Sequence, residues 1–126
     1  MYLLEKFHLV QFFLFRAETL SFSPATGIVA PNGSGKSAIL DAMQIVLYGG
    51  DQNQIDLNAQ SGGVSGTRGR SVREYCLGYY RGDEHIRENA TSYLTMVFRD
   101  TEGELPPVSV GLALGASVGD LSLIHI

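Results

Sequence analysis

The sequence predicts an α/β fold in which a strand, a glycine-rich turn and a helix are flanked by antiparallel strands. Three observations predict it. Residues 30–37 read Ala-Pro-Asn-Gly-Ser-Gly-Lys-Ser, between the short β-branched run at 27–30 and a stretch, 36–48, with apolar residues at helical spacing. Strand formers concentrate at residues 3–10 and 16–22 ahead of this unit and at 93–99 and 108–114 behind it. Strand, loop and helix in that order are the context a phosphate-binding loop requires, so the class is that of the P-loop NTPases.

The first two stretches read as an antiparallel pair, the second alternating Ala17, Thr19 and Ser21 against Glu18, Leu20 and Phe22. Residues 24–27 break the chain before the phosphate-loop strand. The helix from Lys36 runs to Gly49-Gly50, which ends it as a glycine C-cap does. Ile39, Leu40, Met43, Ile45, Val46 and Leu47 cover most of its circumference and predict packing on both sides. Asp41 and Gln44 remain for a polar face or the nucleotide region, and solvent or a capping group is the favoured surroundings for Asp41.

Residues 51–70 are polar and glycine-rich and predict a mobile loop. Ser71 with Glu74 three residues on has capping-box spacing, predicting a short helix through Leu77 that stops near Gly78. A charged stretch, 81–88, leads into a hairpin over 93–99 and 108–114, its turn marked by Asp100-Thr101-Glu102-Gly103. No internal repeat is visible. The tail at 121–126 changes character abruptly and reads as non-native, setting a single domain at 1–120 in what is expected to be a piece of a longer protein.

The chemistry of the loop follows from its residue types. Glycine at 33 and 35 allows a tight turn that aims successive N–H groups at phosphate oxygens, where a Cβ would obstruct them. The helix N-terminus adds a favourable dipole of about 0.3–1 kcal/mol at an exposed site. The Lys36 ammonium is placed for the β- and γ-phosphates and the Ser37 hydroxyl for a magnesium ion. The expected binding set is Ala30, Pro31, Asn32, Gly33, Ser34, Gly35, Lys36, Ser37 and Ala38, with Mg2+ on Ser37. Ala30 departs from the usual glycine by one methyl group.

Composition bounds the alternatives. At 126 residues the chain is one domain at most, and 44% hydrophobic with 17% charged residues is ordinary for a globular protein with a core. A net charge of −4 argues against a surface that coats nucleic acid throughout, while leaving room for a local basic patch. Cys76 is the only cysteine, so no intramolecular disulfide can form, and a buried reduced thiol in a cytoplasmic setting is expected. No apolar run is long enough for a membrane span. His8, His85 and His125 lack companions at metal-ligand spacing, and core or surface packing is expected of Tyr75, Tyr79 and Tyr80.

Two N-terminal strands, the loop Pro-Asn-Gly-Ser-Gly-Lys-Ser and the helix Ala38-Ile39-Leu40-Asp41-Ala42-Met43 resemble the N-terminal head lobe of the SMC-like ABC ATPases, the group of SMC, RecN, RecF and MukB. Phe12-Phe13-Leu14-Phe15, Asp56-Leu57-Asn58-Ala59-Gln60 and the segment at 70–78 look most like MukB-like and Wadjet JetC-type proteins. The resemblance covers residues 1 to about 115. Phe13 stands where many relatives carry a polar residue near the nucleotide.

The resemblance implies ATP and Mg2+ as cofactors, a second head as partner across a sandwiched nucleotide, and DNA as the object of action in chromosome maintenance or plasmid defence. It implies DNA contacts near Arg68, Arg70 and Arg73, for which solvated surface arginines are an equal alternative. The sequence contains no apolar run ending in Asp-Glu, no Leu-Ser-Gly-Gly-like signature and no heptad arm. The chain by itself is therefore expected to bind ATP without turning it over, since no residue is available to position the attacking water. A P-loop kinase or GTPase-like enzyme, or a binding module alone, remains open; the guanine-reading Asn-Lys-x-Asp is absent.

Overall fold

A computed structural model describes residues 1–23, 36–51, 71–118 and 120–124. The elements in chain order are β1 (Tyr2–Phe12), β2 (Phe15–Ser21), α1 (Lys36–Leu47), α2 (Val72–Leu77), β3 (Tyr79–Arg81), β4 (Glu84–His85), β5 (Asn89–Asp100), β6 (Val108–Ser117) and β7 (Asp120–Ile124). Five of the strands form one antiparallel sheet in the order β2-β1-β5-β6-β7, and β3 and β4 form a separate two-stranded ribbon.

Both expected strand pairs are present; β1, β5 and β6 run longer than their apolar patterns, and β2 keeps its length, shifted by one residue. Hairpin β1–β2 registers Leu9 opposite Glu18 and Phe12 opposite Phe15. Hairpin β5–β6 registers Leu94 opposite Leu112 and Asn89 opposite Ser117. The pairing that joins them is non-local: β1 lies against β5, with Phe7 opposite Met96 and Leu9 opposite Leu94, and a bulge between Leu4 and Lys6. Period-2 alternation decides which face is buried. Ala90, Ser92, Leu94 and Met96 of β5 are buried, while Asn89, Thr91 and Tyr93 between them are exposed.

The buried face carries the core. Phe7, Leu9 and Phe12 of β1 meet Leu94, Leu114 and Ala116 of the neighbouring strands, covered by Ala38, Ala42, Ile45 and Val46 of α1 and by Val72, Tyr75, Cys76 and Leu77 of α2. Removing that apolar surface from water supplies the main stabilisation, about 25 cal/mol per Å². Helix α1 ends as expected: Gly49 and Gly50 both have positive φ, and the Gly50 N–H donates to the Ile45 carbonyl at 2.9 Å.

Two readings of the sequence need correction or extension. Among the described residues α1 is packed on one side only, with Leu40 44% and Leu47 66% exposed. Its apolar residues exceed what one sheet face can cover. The segment after α2, running into the charged stretch, forms the ribbon β3–β4, which turns at Gly82 with φ 55°. That turn could have been read from Arg81-Gly82-Asp83-Glu84, but two- and three-residue strands carry almost no periodicity. Residues 120–124 form β7, paired with β6 through Ala116 opposite Leu121. The expected strand at 27–30 and all of the expected loop except Asp51 lie outside the described residues.

Candidate nucleotide-binding site

Helix α1 begins at Lys36, directly after the glycine-rich sequence at 30–35, with no acidic residue in its first turn. The positive dipole end of the helix therefore carries no carboxylate of its own to compete with an anion. Ser37 is exposed at this end and Ala38 is buried, 3% exposed, against the sheet. An exposed hydroxyl beside a helix N-terminus is a donor set that fits a hydrated magnesium bound to phosphate. Of the expected set, Ala30, Pro31, Asn32, Gly33, Ser34 and Gly35 lie outside the described residues.

One turn beyond Ser37 the structure overturns an expectation. Asp41 does not face solvent; it is 6% exposed, and its Oδ2 accepts a hydrogen bond from the Tyr75 hydroxyl of α2. A carboxylate is retained in the interior only with a donor to satisfy it. Spacing alone could not find this pair, since its members lie 34 positions apart. The available signal was an acid inside an otherwise apolar helix.

Tyr75 is held from several directions, as a core tyrosine with a polar tip should be. Its ring stacks on Phe12 with centroids 4.9 Å apart and meets Phe13 edge-on at 6.0 Å. Its carbonyl accepts from the Phe13 N–H at 2.7 Å, in a turn where Phe13 has φ 50°. Helix α2 itself is fixed by the predicted capping box, in which the Ser71 hydroxyl accepts from Glu74 N–H and Glu74 accepts from Ser71 N–H, both at 3.2 Å. It ends at Gly78, in the left-handed region at φ 75°.

Arg87 ties this end of the molecule together, a role the sequence did not suggest. One guanidinium nitrogen donates to the Phe13 carbonyl at 2.8 Å and the Cys76 carbonyl at 3.2 Å, and the other donates to the Phe15 carbonyl at 2.8 Å. Burial draws its pKa below the ordinary arginine range, an effect the neighbouring Cys76 opposes. Cys76 is a buried free thiol as expected; burial pushes its pKa up, against lowering by the Ser92 hydrogen bond and Arg87. It is held protonated and unreactive.

Of the candidate DNA contacts, Arg68 and Arg70 lie outside the described residues. Arg73 is half-buried on α2, its guanidinium 5.6 Å from the centroid of the Tyr79 ring, which in turn stacks on His85 at 4.7 Å. Among the described residues no group of three or more His, Cys, Asp or Glu side chains could hold a metal, and no helix is long and apolar enough to cross a membrane. An open groove of about 620 Å³ lies along β1, β5 and β6, lined by Val10, Gln11, Thr91 and Tyr93 among others. None of its lining residues belongs to α1 or α2, so it is separate from the phosphate-loop helix.

A protein-family model described as an AAA domain matches residues 6–112, from within β1 to within β6. The chain belongs to the AAA domain family. The match takes in the phosphate-loop segment, both helices and four of the five strands of the main sheet. Membership in this family supports a P-loop NTPase fold and a nucleotide-binding, ATPase-type function; AAA ATPases generally bind ATP with Mg2+. No curated protein matches the chain, and no solved structure does.

Proposed function

We propose that this AAA domain is the ATP-binding lobe of an SMC-like ATPase that acts on DNA in chromosome maintenance or plasmid defence. The observation that carries the reading is the sequence Ala30–Ser37 running without interruption into the N-terminus of α1, a helix whose first turn contains no acid. The backbone N–H groups at Gly33 and Gly35, the Lys36 ammonium and the α1 dipole would hold the triphosphate. Ser37 would hold Mg2+, which supplies charge neutralisation at the β- and γ-phosphates. The residues of this chain bind and orient; none is assigned to activate water, so hydrolysis requires groups from outside the sequence, in this reading a second head. The narrower likeness to MukB-like and JetC-type proteins rests on residues 12–15, 56–60 and 70–78.

DNA contact is assigned to Arg68, Arg70 and Arg73, with the half-buried Arg73 above Tyr79 the one whose surroundings are described. Each phosphate contact adds about 0.9 to the slope of log affinity against log salt on duplex DNA. The test of the central claim is titration calorimetry with ATP and Mg2+. Lys36→Ala should abolish measurable binding while the circular dichroism spectrum stays unchanged. An affinity equal to that of the unaltered chain would defeat the site assignment.

A further inference from the structure

We propose that Asp41 and Tyr75 are positioning residues for the nucleotide site, fixing α1 so that its N-terminus presents Lys36 and Ser37 to the phosphates; this rests on the ATP-binding reading above. Ser37 and Asp41 are four positions apart, so they are neighbours on one side of the helix. Asp41 is the one buried acid on α1, 6% exposed, and the Tyr75 hydroxyl donates to it from the neighbouring helix. The other end of Tyr75 is anchored to the β1–β2 turn, where its carbonyl accepts from Phe13 N–H and its ring stacks on Phe12. Arg87 holds that turn to the end of α2 through the Phe13 and Cys76 carbonyls.

The result is a continuous rigid path from the sheet, through Tyr75, to the carboxylate one turn behind the phosphate-binding end of α1. Apolar packing alone leaves a helix free to slide or roll by small amounts, because it has no direction. A hydrogen bond between two buried side chains has direction and specifies one axial setting. A displacement of about 1 Å in a positioning element is enough to lower the efficiency of a site built on it by about a hundredfold. The tyrosine hydroxyl and the aspartate are thus coupled parts of the phosphate site, although neither is expected to touch the nucleotide.

The test compares the unaltered chain with Tyr75→Phe, Asp41→Ala, Asp41→Asn and the Tyr75→Phe/Asp41→Ala double variant. Tyr75→Phe keeps the ring and its stacking and removes only the donor. It should weaken ATP–Mg2+ binding by about tenfold in calorimetry, as should Asp41→Ala, and the double variant should be no weaker than either, because the two residues act as a unit. Asp41→Asn, whose amide oxygen still accepts from the hydroxyl, should restore most of the affinity; a purely structural role of the charge would give no such rescue. Equal affinity of Tyr75→Phe and the unaltered chain overturns the proposal. If the unaltered chain binds no ATP, the nucleotide reading fails by itself, and amide exchange of the nucleotide-free chain decides the positioning role. Faster exchange confined to the first turns of α1 in Tyr75→Phe upholds it, and unchanged exchange there overturns it.

Discussion

Asp100 closes β5 with a carboxylate that is almost fully enclosed, 2% exposed. Its Oδ1 accepts from the Met1 ammonium at 3.1 Å and from Glu102 N–H at 3.3 Å, and its Oδ2 accepts from Glu104 N–H at 3.2 Å and Leu105 N–H at 3.0 Å. The hydrogen bond from the Met1 ammonium is the main cause holding its pKa below the ordinary range, reinforced by the Glu102 and Leu105 N–H groups and opposed by burial. A folded pKa below the unfolded value means stability that is present above the unfolded pKa of about 3.9 and lost as pH falls through the folded value. Asp100→Asn should therefore lower the urea midpoint at neutral pH, and the gap from the unaltered chain should close below about pH 4. A gap constant with pH would show that the carboxylate charge contributes nothing. Gly78 is a second residue whose identity is forced. It has φ 75°, and a Cβ there would lie 2.8 Å from the Phe13 carbonyl oxygen and 2.5 Å from Ile86 Cγ1. Gly49, at φ 63°, would meet nothing within 4 Å. Gly49→Ala should cost about 1–2 kcal/mol for its backbone conformation, and Gly78→Ala distinctly more, measured by chemical denaturation.

Between elements, the short helix α2 is held less by its own length than by its contacts. Six residues are too few for a stable isolated helix. The capping box, the Gly78 terminus and the Arg87 fork supply what propagation cannot. Arg87→Ala strips a charged donor from three carbonyls at once, and each buried acceptor left unpaired costs about 1–3 kcal/mol. The expected loss is at least that much in unfolding free energy, and Arg87→Lys should not recover it, because an ammonium cannot reproduce the planar fork. The capping box was legible in Ser71 and Glu74 because its spacing is local. The Arg87 fork was not, because its acceptors are backbone carbonyls at positions 13, 15 and 76. Main-chain oxygens leave no trace in a sequence.

Across the whole molecule the same distinction holds. Strand pairs β1–β2 and β5–β6 were readable because each is a hairpin whose turn and alternation lie within one window. The contact of β1 with β5, which merges the two hairpins into one sheet, was not, because it joins segments more than 80 positions apart. Helix α1 shows both sides of the matter: its existence and both ends followed from periodicity and from Gly49-Gly50. The burial of Asp41 required knowing that α2 lies beside it. Phosphate-binding residue types at 30–37 and the helix that follows them are legible in the sequence, since that chemistry resides in local spacing and backbone freedom. That Tyr75 meets Asp41 and that Arg87 clasps the β1–β2 turn to α2 emerged with the folded chain, since those contacts form where distant segments are brought together by burial of a shared apolar face.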